Sequence, residues 1–160
     1  MFTGIIQTVG KIESLETLDS GITRIQVSHD LKSDFQNGDS IAIDGCCLTV
    51  TKNETGLFEF EMVVQTMKTT RFKDLGVGDQ VNLEPALKAG DMLSGHFVSG
   101  HIDTTSKVFL AEQRVGEFRF GVQIPKKFSG LVIDKGSICI NGISLTIAKL
   151  TDLELSLIHI

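Results

Sequence analysis

Hydroxyl and thiol side chains recur at matching points of two similar segments of the chain. The segments are SIAIDGCCLTVTK at residues 40–52 and SICINGISLTIAK at residues 137–149, with seven of thirteen positions identical. Cys47 and Thr49 of the first segment match Ser144 and Thr146 of the second. Such side chains can hydrogen-bond a polar ligand or position a water molecule. The repeat therefore predicts that these side chains occupy equivalent positions in two related structural units.

One histidine distinguishes the two copies. Residues 2–6 read FTGII and residues 98–102 read VSGHI, so His101 stands where the first copy has Ile5. Because imidazole titrates near neutral pH, His101 is predicted to move protons. His96 lies five residues earlier, but no obvious cluster of further ligands accompanies the pair, so no metal site is predicted.

The three cysteines allow two interpretations. Cys46, Cys47 and Cys139 form no CxxC pair, so zinc and redox motifs are absent, and buried thiols in strands are the simpler reading. Alternation along a strand nevertheless puts only one of Cys46 and Cys47 on a given face. Thr49, two positions on, faces the same way as Cys47.

The elements that position these residues are predicted to be β-strands. Residues 21–29 (GITRIQVSH), 57–64 (LFEFEMVV) and 117–124 (EFRFGVQI) alternate between apolar and polar side chains, the pattern of a half-buried strand. Turn pairs such as Asp44-Gly45 and Asn141-Gly142 punctuate the runs. Many short strands joined by turns favour an all-β sandwich or small barrel.

The repeat period of about 96 residues is the size of a domain, which predicts a duplicated small β-domain. The first domain is assigned to residues 1–94 and the second to residues 95–160. The first copy continues beyond its FEFEMVV strand through QTMKTTRFKDLGVGDQVNLE, whereas the second copy has no such continuation. The second domain is therefore expected to be incomplete at its C-terminus.

Composition narrows the classes of function. The net charge is -5 with acids and bases interspersed, which gives no basic patch for nucleic acid. No apolar run is long enough for a membrane helix, and the N-terminus has no signal-peptide pattern. A cytoplasmic protein that binds neither nucleic acid nor membrane is expected.

Five segments in order resemble the riboflavin synthase family. They are MFTGII, NGDSIAIDGCCLTVT, VGDQVNLEPAL, SGHFVSGHID and KGSICINGISLTI. The resemblance implies two tandem, similar six-stranded Greek-key β-barrels, each holding one pteridine-like ligand. It implies dismutation of two 6,7-dimethyl-8-ribityllumazine molecules to riboflavin and 5-amino-6-ribitylaminouracil, without metal or cofactor. It also implies a homotrimer for the full-length protein, with each working site shared between neighbouring subunits, and an association with lumazine synthase.

The resemblance carries over to individual residues. Catalytic roles fall on Phe2, Cys47, His101, Lys135, Asn141 and Ser144. Substrate contacts fall on Thr3, Gly4, Ile5, Ile6, Ser40, Cys47, Leu48, Thr49, Glu61, Met62, Val63, Val64, Gln65, Thr66, Gly100, His101, Ile102, Lys135, Ser144, Leu145, Thr146, Ile158, His159 and Ile160. Purely structural roles are the alternatives for three of these residues. Phe2 would be a terminal hydrophobic anchor, Thr49 a strand threonine hydrogen-bonded to the backbone, and Lys135 a solvated lysine.

Two departures from the family pattern bear on function. Asn141 stands where some members have aspartate, and it cannot act as a carboxylate base. Gln65 replaces a common glutamate but keeps the ability to hydrogen-bond a ribityl hydroxyl. A non-catalytic lumazine- or flavin-binding protein of the same fold is the alternative function. Such relatives depart from the pattern around the SGH motif, which is intact here and favours the enzyme.

Overall fold

The structure is a computed structural model that describes residues 1–151 and the backbone of residues 154–159. This part of the chain contains eleven β-strands, one α-helix and two 3₁₀-helices, so the all-β prediction is confirmed. The α-helix is α1 (Val64–Thr69), and with six residues it is far shorter than a bilayer crossing needs. None of the described helices could span a membrane.

Six strands close into the first barrel. They are β1 (Thr8–Thr17), β2 (Thr23–Ser28), β3 (Ser40–Ile43), β4 (Cys46–Glu54), β5 (Leu57–Met62) and β6 (Gln80–Pro85). Their order around the barrel is β1-β2-β5-β4-β3-β6, and neighbouring strands are antiparallel. Strands β3, β4 and β5 follow one another and β6 returns beside β3, which is a Greek-key connection. The prediction of a six-stranded Greek-key barrel is therefore confirmed for the first copy.

Period-two patterning decides what lies inside this barrel. On β5, Phe58 and Phe60 are fully buried in the core, whereas Glu59 and Glu61 point outward. The 3₁₀-helix Arg71–Asp74 adds the buried ring of Phe72 to the same core. Burying each such ring contributes roughly 1.5–3 kcal/mol, so a slip of one residue in register would be strongly disfavoured.

The second copy forms a five-stranded sheet. Its strands are β7 (Val108–Arg114), β8 (Glu117–Gln123), β9 (Ser137–Ile140), β10 (Ile143–Leu150) and β11 (Glu154–His159), with the 3₁₀-helix Lys126–Leu131 between β8 and β9. The order β7-β8-β11-β10-β9 repeats β1-β2-β5-β4-β3 of the first barrel. Among the described residues no strand joins β7 to β9 as β6 joins β1 to β3. The duplication is thus seen in the sheets, but the second barrel is not closed.

Two tight hairpin turns bring the copies together. Asp44 and Asn141 each have φ of 49°, and the glycines that follow have φ of 84° and 80°. Two successive positive φ values joining antiparallel strands define a type I′ turn, for which Asp-Gly and Asn-Gly are preferred. A Cβ placed on Gly45 would lie 2.8 Å from the backbone nitrogen of Gly142. The equivalent turns therefore meet at a local two-fold axis between the copies.

The segment that leads into each copy crosses to the other copy. We call residues 1–6 the first arm and residues 97–102 the second arm. They pair at their equivalent residues, because the Phe2 N–H donates to the Val98 carbonyl at 2.8 Å and the Val98 N–H donates back at 3.1 Å. The Ser144 N–H of β10 donates to Gly4 O at 2.7 Å, and the Cys47 N–H of β4 donates to Gly100 O at 2.8 Å.

Apolar packing agrees with this exchange. Ile102 of the second arm packs against the core of the first barrel. Phe2 is fully buried between the copies, together with Ala42 and Val98. The sequence comparison grouped each arm with its own copy, whereas the first arm contacts both copies, through Glu84 of β6 and Ser144 of β10. The assigned boundary at residue 94 stays a prediction.

Candidate functional site

The first candidate site lies on the outer face of β3 and β4. Cys46 is buried inside the barrel, whereas Cys47 and Thr49 point outward on the same face. Ser40 is the direct cross-strand partner of Thr49. The second arm borders this face, since Gly100 O binds the Cys47 N–H and the exposed His101 follows it.

The second candidate site repeats this arrangement on β9 and β10. Ser144 and Thr146 point outward, and Ser137 is the cross-strand partner of Thr146. The first arm borders this face through Gly4 O, followed by the exposed Ile5. We call these faces, with their arms, the first site and the second site.

Paired hydroxyls are the feature that the two sites share. In the described part of the chain no hydrogen bond engages the hydroxyls of Ser40, Thr49, Ser137 or Thr146. Unengaged hydroxyls on a well-ordered strand can donate and accept without displacing an internal bond. Each face therefore offers two free hydroxyls, side by side, to a polar ligand.

The arms differ in the side chain that they bring. In both, a hydroxyl fixes the turn: Thr3 Oγ1 accepts from the Ile5 N–H at 3.2 Å, and Ser99 Oγ accepts from the His101 N–H at 3.2 Å. The same local geometry thus presents an apolar side chain at the second site and an imidazole at the first. The two sites therefore have matching backbone geometry but side chains of different chemical character.

A histidine that the sequence did not single out completes the second site. The ring nitrogen Nδ1 of His96 lies 2.7 Å from Ser144 Oγ, and the backbone N–H of His96 donates to Thr3 O at 3.0 Å. With the proton on Nε2, Nδ1 would accept a hydrogen bond from the Ser144 hydroxyl, which would raise the electron density on Oγ. The opposite tautomer would donate to Oγ and leave that hydroxyl free to donate to a ligand.

Of the three thiols, Cys46 is buried, whereas Cys47 and Cys139 are partly buried. Desolvation raises the pKa of Cys46 to about 11 and that of Cys139 to about 11, so both stay protonated at neutral pH. The prediction of a buried thiol is confirmed for Cys46. Cys47 is only partly buried and faces the arm that carries His101.

Several predicted contact residues lie at or near the protein surface, outside the barrel core. Glu61 is ion-paired with Arg24 at 2.9 Å, and Val63 and Val64 are 59% and 48% exposed. Gln65 is exposed and Thr66 is half-buried on α1, a helix that the sequence patterns did not predict. Ile6 is half-buried against the Gly142 turn, where a Cβ on Gly142 would lie 3.2 Å from Ile6 Cδ1.

Three predicted contact residues point inward instead. Leu48 and Met62 are buried in the core of the first barrel, and Leu145 packs against the core of the second sheet. Their side chains cannot touch a ligand on the outer faces, because alternation turns them to the opposite side. Any contact from these residues would come from the backbone.

Two residues predicted to be catalytic have backbone roles in the structure. Asn141 occupies the type I′ turn, and its carbonyl accepts from Asn82 Nδ2 at 3.0 Å across the copies. Lys135 has φ of 62°, a left-handed conformation that lysine rarely adopts, and its Nζ donates to Ala148 O at 2.5 Å. Their catalytic roles stay predictions, as do those of Phe2 and the other assigned residues. The side chains of Ile158 and His159, and all of Ile160, lie outside the described residues.

A cavity of about 590 Å³ lies at the open side of the second sheet, and His96, His101 and the turn between β3 and β4 also line it. Apolar side chains from inside that sheet line it, including Val122, Ile124 and Ile138, together with residues 96–106. In the first barrel the equivalent space is closed by β6, which contributes Val81 and Leu83 to the core. We therefore interpret this cavity as unfilled barrel interior rather than as the ligand site.

Four polar residues of this region were missed by sequence reasoning. Ser137 could have been found, because it stands at the repeat position of Ser40, and Ser99 likewise matches Thr3. His96 has no counterpart in the first copy. Glu84, a buried carboxylate that binds the first arm, also lacks one, so the repeat could not reveal either residue. The described residues hold no group of His, Cys, Asp or Glu side chains arranged to bind a metal ion.

The crossing arms and paired hydroxyl faces define a duplicated all-β protein with two related candidate sites. Comparison with known proteins specifies the class. The model of the lumazine binding domain matches residues 3–86 and 99–159. The chain therefore belongs to the lumazine binding domain family, as its resemblance to riboflavin synthases predicted.

The relatives matched over most of the chain are riboflavin synthases. The Bacillus subtilis (strain 168) enzyme is 37% identical over 152 residues, covering 95% of this chain and 71% of the relative. The Escherichia coli (strain K12) enzyme is 36% identical over 154 residues, with coverages of 94% and 72%. Among solved structures, LumP complexed with riboflavin matches with a TM-score of 0.90 at 27% identity, covering 99% of this chain and 86% of that one. LumP complexed with 6,7-dimethyl-8-(1'-D-ribityl) lumazine matches with a TM-score of 0.87 at 26% identity.

Proposed function

We propose that the protein is a riboflavin synthase that binds 6,7-dimethyl-8-ribityllumazine at both sites. The observation that carries this proposal is the pair of matching hydroxyl faces, each bordered by the other copy's arm, in a chain 36–38% identical to several riboflavin synthases. A reaction between two molecules of one substrate needs two places that recognise the same molecule. A duplicated site supplies them.

Each site would hold the substrate by its polar edge and its ribityl chain. Thr49 and Ser40 supply hydroxyls at the first site, and Thr146 and Ser137 supply them at the second. A neutral hydrogen bond of this kind contributes about 0.5–1.5 kcal/mol, so several together are needed for useful affinity. Fixing both substrates replaces a random encounter by an oriented one, which can remove several kcal/mol from the barrier.

The unlike side chains of the two sites suit unlike roles for the two molecules. The first site has Cys47 and His101, and the second has Ser144 with His96 at 2.7 Å. One lumazine gives up a four-carbon unit and the other receives it, so the reaction needs no external oxidant. We propose that His101 and the His96–Ser144 pair move the protons that this transfer requires.

We further propose that the working site forms between subunits of a homotrimer. Both candidate faces are open at the surface of the single chain, with Thr49 and Thr146 exposed. A flat substrate on such a face would keep one side in water unless another subunit covered it. Covering by the second site of a neighbour would bring two substrates face to face. Association with lumazine synthase and a cytoplasmic location stay predictions.

Incubation with 6,7-dimethyl-8-ribityllumazine tests the proposal, with riboflavin formation followed by absorbance. We expect one riboflavin for every two lumazines consumed, and slower turnover with His101→Ala. Lys32→Ala, at an exposed lysine in the loop between β2 and β3, is the control. Unchanged turnover in the His101 variant would remove the proton-transfer role.

A non-catalytic lumazine- or flavin-binding protein is the second candidate. The TM-scores of 0.90 and 0.87 to ligand complexes of LumP favour it specifically. Its expected result is a change in lumazine fluorescence on binding, with no riboflavin formed at any protein concentration. The absence of both binding and turnover would contradict the two candidates together.

A further inference from the structure

A buried carboxylate holds the first arm where it meets the second site. Glu84 lies on β6 and is 3% exposed. It accepts three hydrogen bonds: from the Thr3 N–H at 2.6 Å, from Thr3 Oγ1 at 2.7 Å and from the Gly4 N–H at 3.0 Å. No lysine or arginine of the described residues forms a salt bridge with it. These three donors therefore provide its stabilisation within the part of the chain described.

The same two arm residues hold both members of the His96–Ser144 pair. Thr3 O accepts a hydrogen bond from the backbone N–H of His96 at 3.0 Å, and Gly4 O accepts one from the backbone N–H of Ser144 at 2.7 Å. The two side chains are then 2.7 Å apart. Glu84 thus binds the arm on one side, while the pair binds it on the other.

One peptide group links the two sides directly. The Thr3 carbonyl and the Gly4 N–H belong to a single planar amide, so they cannot reorient independently. The N–H of this amide donates to the Glu84 carboxylate, and its carbonyl accepts from the backbone N–H of His96. Hydrogen bonds in such a chain also polarise one another, which strengthens each of them.

We infer that Glu84 is a positioning residue that sets the geometry of the His96–Ser144 pair through Thr3 and Gly4. It does not touch that pair itself. This inference rests on the proposed function only for its effect on turnover. The geometric claim concerns the folded chain and can be tested without substrate.

Imidazole ¹⁵N NMR of the 160-residue chain tests the geometric claim. Glu84→Gln keeps the size of the side chain but turns one acceptor into a donor that faces the arm. We expect the His96 ring signals to shift, whereas those of His29, half-buried and stacked on Phe58 of the first barrel, stay in place. Glu54→Gln, at an exposed glutamate, is the matched control and should shift none of them.

A second pair of variants decides the matter if Glu84→Gln does not fold. Thr3→Val removes both bonds of the hydroxyl, the one it donates to Glu84 and the one it accepts from the Ile5 N–H, and Thr3→Ser retains both. We expect the His96 signals to move in the valine variant and to return towards the wild-type position in the serine variant. Unmoved His96 signals in folded Glu84→Gln, or equal signals in the two Thr3 variants, would overturn the inference.

Turnover provides a separate readout. Because small displacements of reacting groups can cost up to ~100-fold in rate, Glu84→Gln should lower kcat by about 10- to 100-fold. Glu84 lies in register with Ala42 of β3 but hydrogen-bonds no described side chain of the first site, so lumazine affinity there should remain unchanged. A wild-type chain without turnover refutes the proposed function alone, while the NMR result still decides the positioning role. A parallel loss of kcat and first-site affinity would contradict positioning of the second site.

Discussion

Replacement of Gly100 by alanine tests the contact between the second arm and the first barrel. Gly100 has φ of 81°, and a Cβ there would lie 2.6 Å from Cys47 Cβ and 2.8 Å from Phe2 Cε2. Optimal separations between carbon atoms are about 3.5–4.0 Å, so the arm and β4 must separate. Phe2 is fully buried and has no free space into which its ring could move.

The expected cost has two parts. A left-handed conformation costs a non-glycine residue about 1–2 kcal/mol, and overpacking a tight contact costs about 1–3 kcal/mol. Gly116 allows the backbone cost to be measured without the packing cost, because its φ is 77° but nothing lies within 4 Å of a Cβ placed on it. Gly116→Ala should therefore show the backbone cost alone. Gly100→Ala should lower the free energy of unfolding by about 2–5 kcal/mol in total.

Urea unfolding of the two variants beside the wild type gives both numbers. We also expect Gly100→Ala to weaken lumazine binding at the first site, because Gly100 O accepts the Cys47 N–H and precedes His101. Gly116→Ala should bind as the wild type does. Equal destabilisation by the two alanines, with unchanged binding in both, would refute the exchanged position of the second arm.

Three further predictions concern single residues. Thr49→Val removes a free hydroxyl of the first site and should weaken lumazine binding about fivefold, or about 1 kcal/mol, in a fluorescence titration. Thr55→Val, on an exposed turn, should leave binding unchanged, and equal affinities of the two variants would count against Thr49. Lys135→Gly relieves a φ of 62° and should raise the free energy of unfolding by up to about 1 kcal/mol in urea, whereas a lower value would contradict backbone strain there. Burial lowers the pKa of His29, so the folded state binds this proton at a lower pH than the unfolded chain does. The stability that is present above about pH 6.5 should therefore fall as the pH drops. His29→Asn can still accept the Leu31 N–H, now bound by His29 Nδ1 at 3.2 Å, and should lose less stability between pH 7.5 and 5.5 than the wild type; an identical loss would exclude His29.

Sequence patterns were sufficient for features that depend on local rules. Alternation along β4 predicted that Cys46 and Cys47 face opposite ways, and the barrel interior accepts only the apolar side. The Asp44-Gly45 and Asn141-Gly142 pairs predicted tight turns, because few other dipeptides tolerate two successive positive φ values. The internal repeat predicted the duplication, which appears as matching strand orders.

Features that depend on distant contacts were not predictable. The exchange of arms rests on hydrogen bonds such as Ser144 N–H to Gly4 O, between residues 140 positions apart. No periodicity encodes such a pairing. The role of Glu84 was hidden for the same reason, since an isolated glutamate in a strand ordinarily suggests a solvated face. Only the arriving arm supplies the donors that make its burial tolerable.

Helix α1 escaped prediction for a different reason. Its sequence VQTMKT is rich in β-branched residues, and it has no side-chain N-cap and no acidic residue in its first turn. With none of its residues fully buried, it also lacks the apolar stripe that normally reveals a helix. The strand predicted at residues 57–64 therefore overlapped the first residue of this helix, and the predicted contacts at Val64, Gln65 and Thr66 fall on a helix instead.

A crystal structure of the chain with bound 6,7-dimethyl-8-ribityllumazine would test the central claim most directly. The account predicts the ring on the outer face of β3 and β4, beside Cys47 and Thr49, and bordered by Gly100 and His101. An equivalent molecule is predicted beside Ser144 and Thr146. A ligand found only in the cavity of about 590 Å³ inside the second sheet, with both outer faces empty, would contradict it.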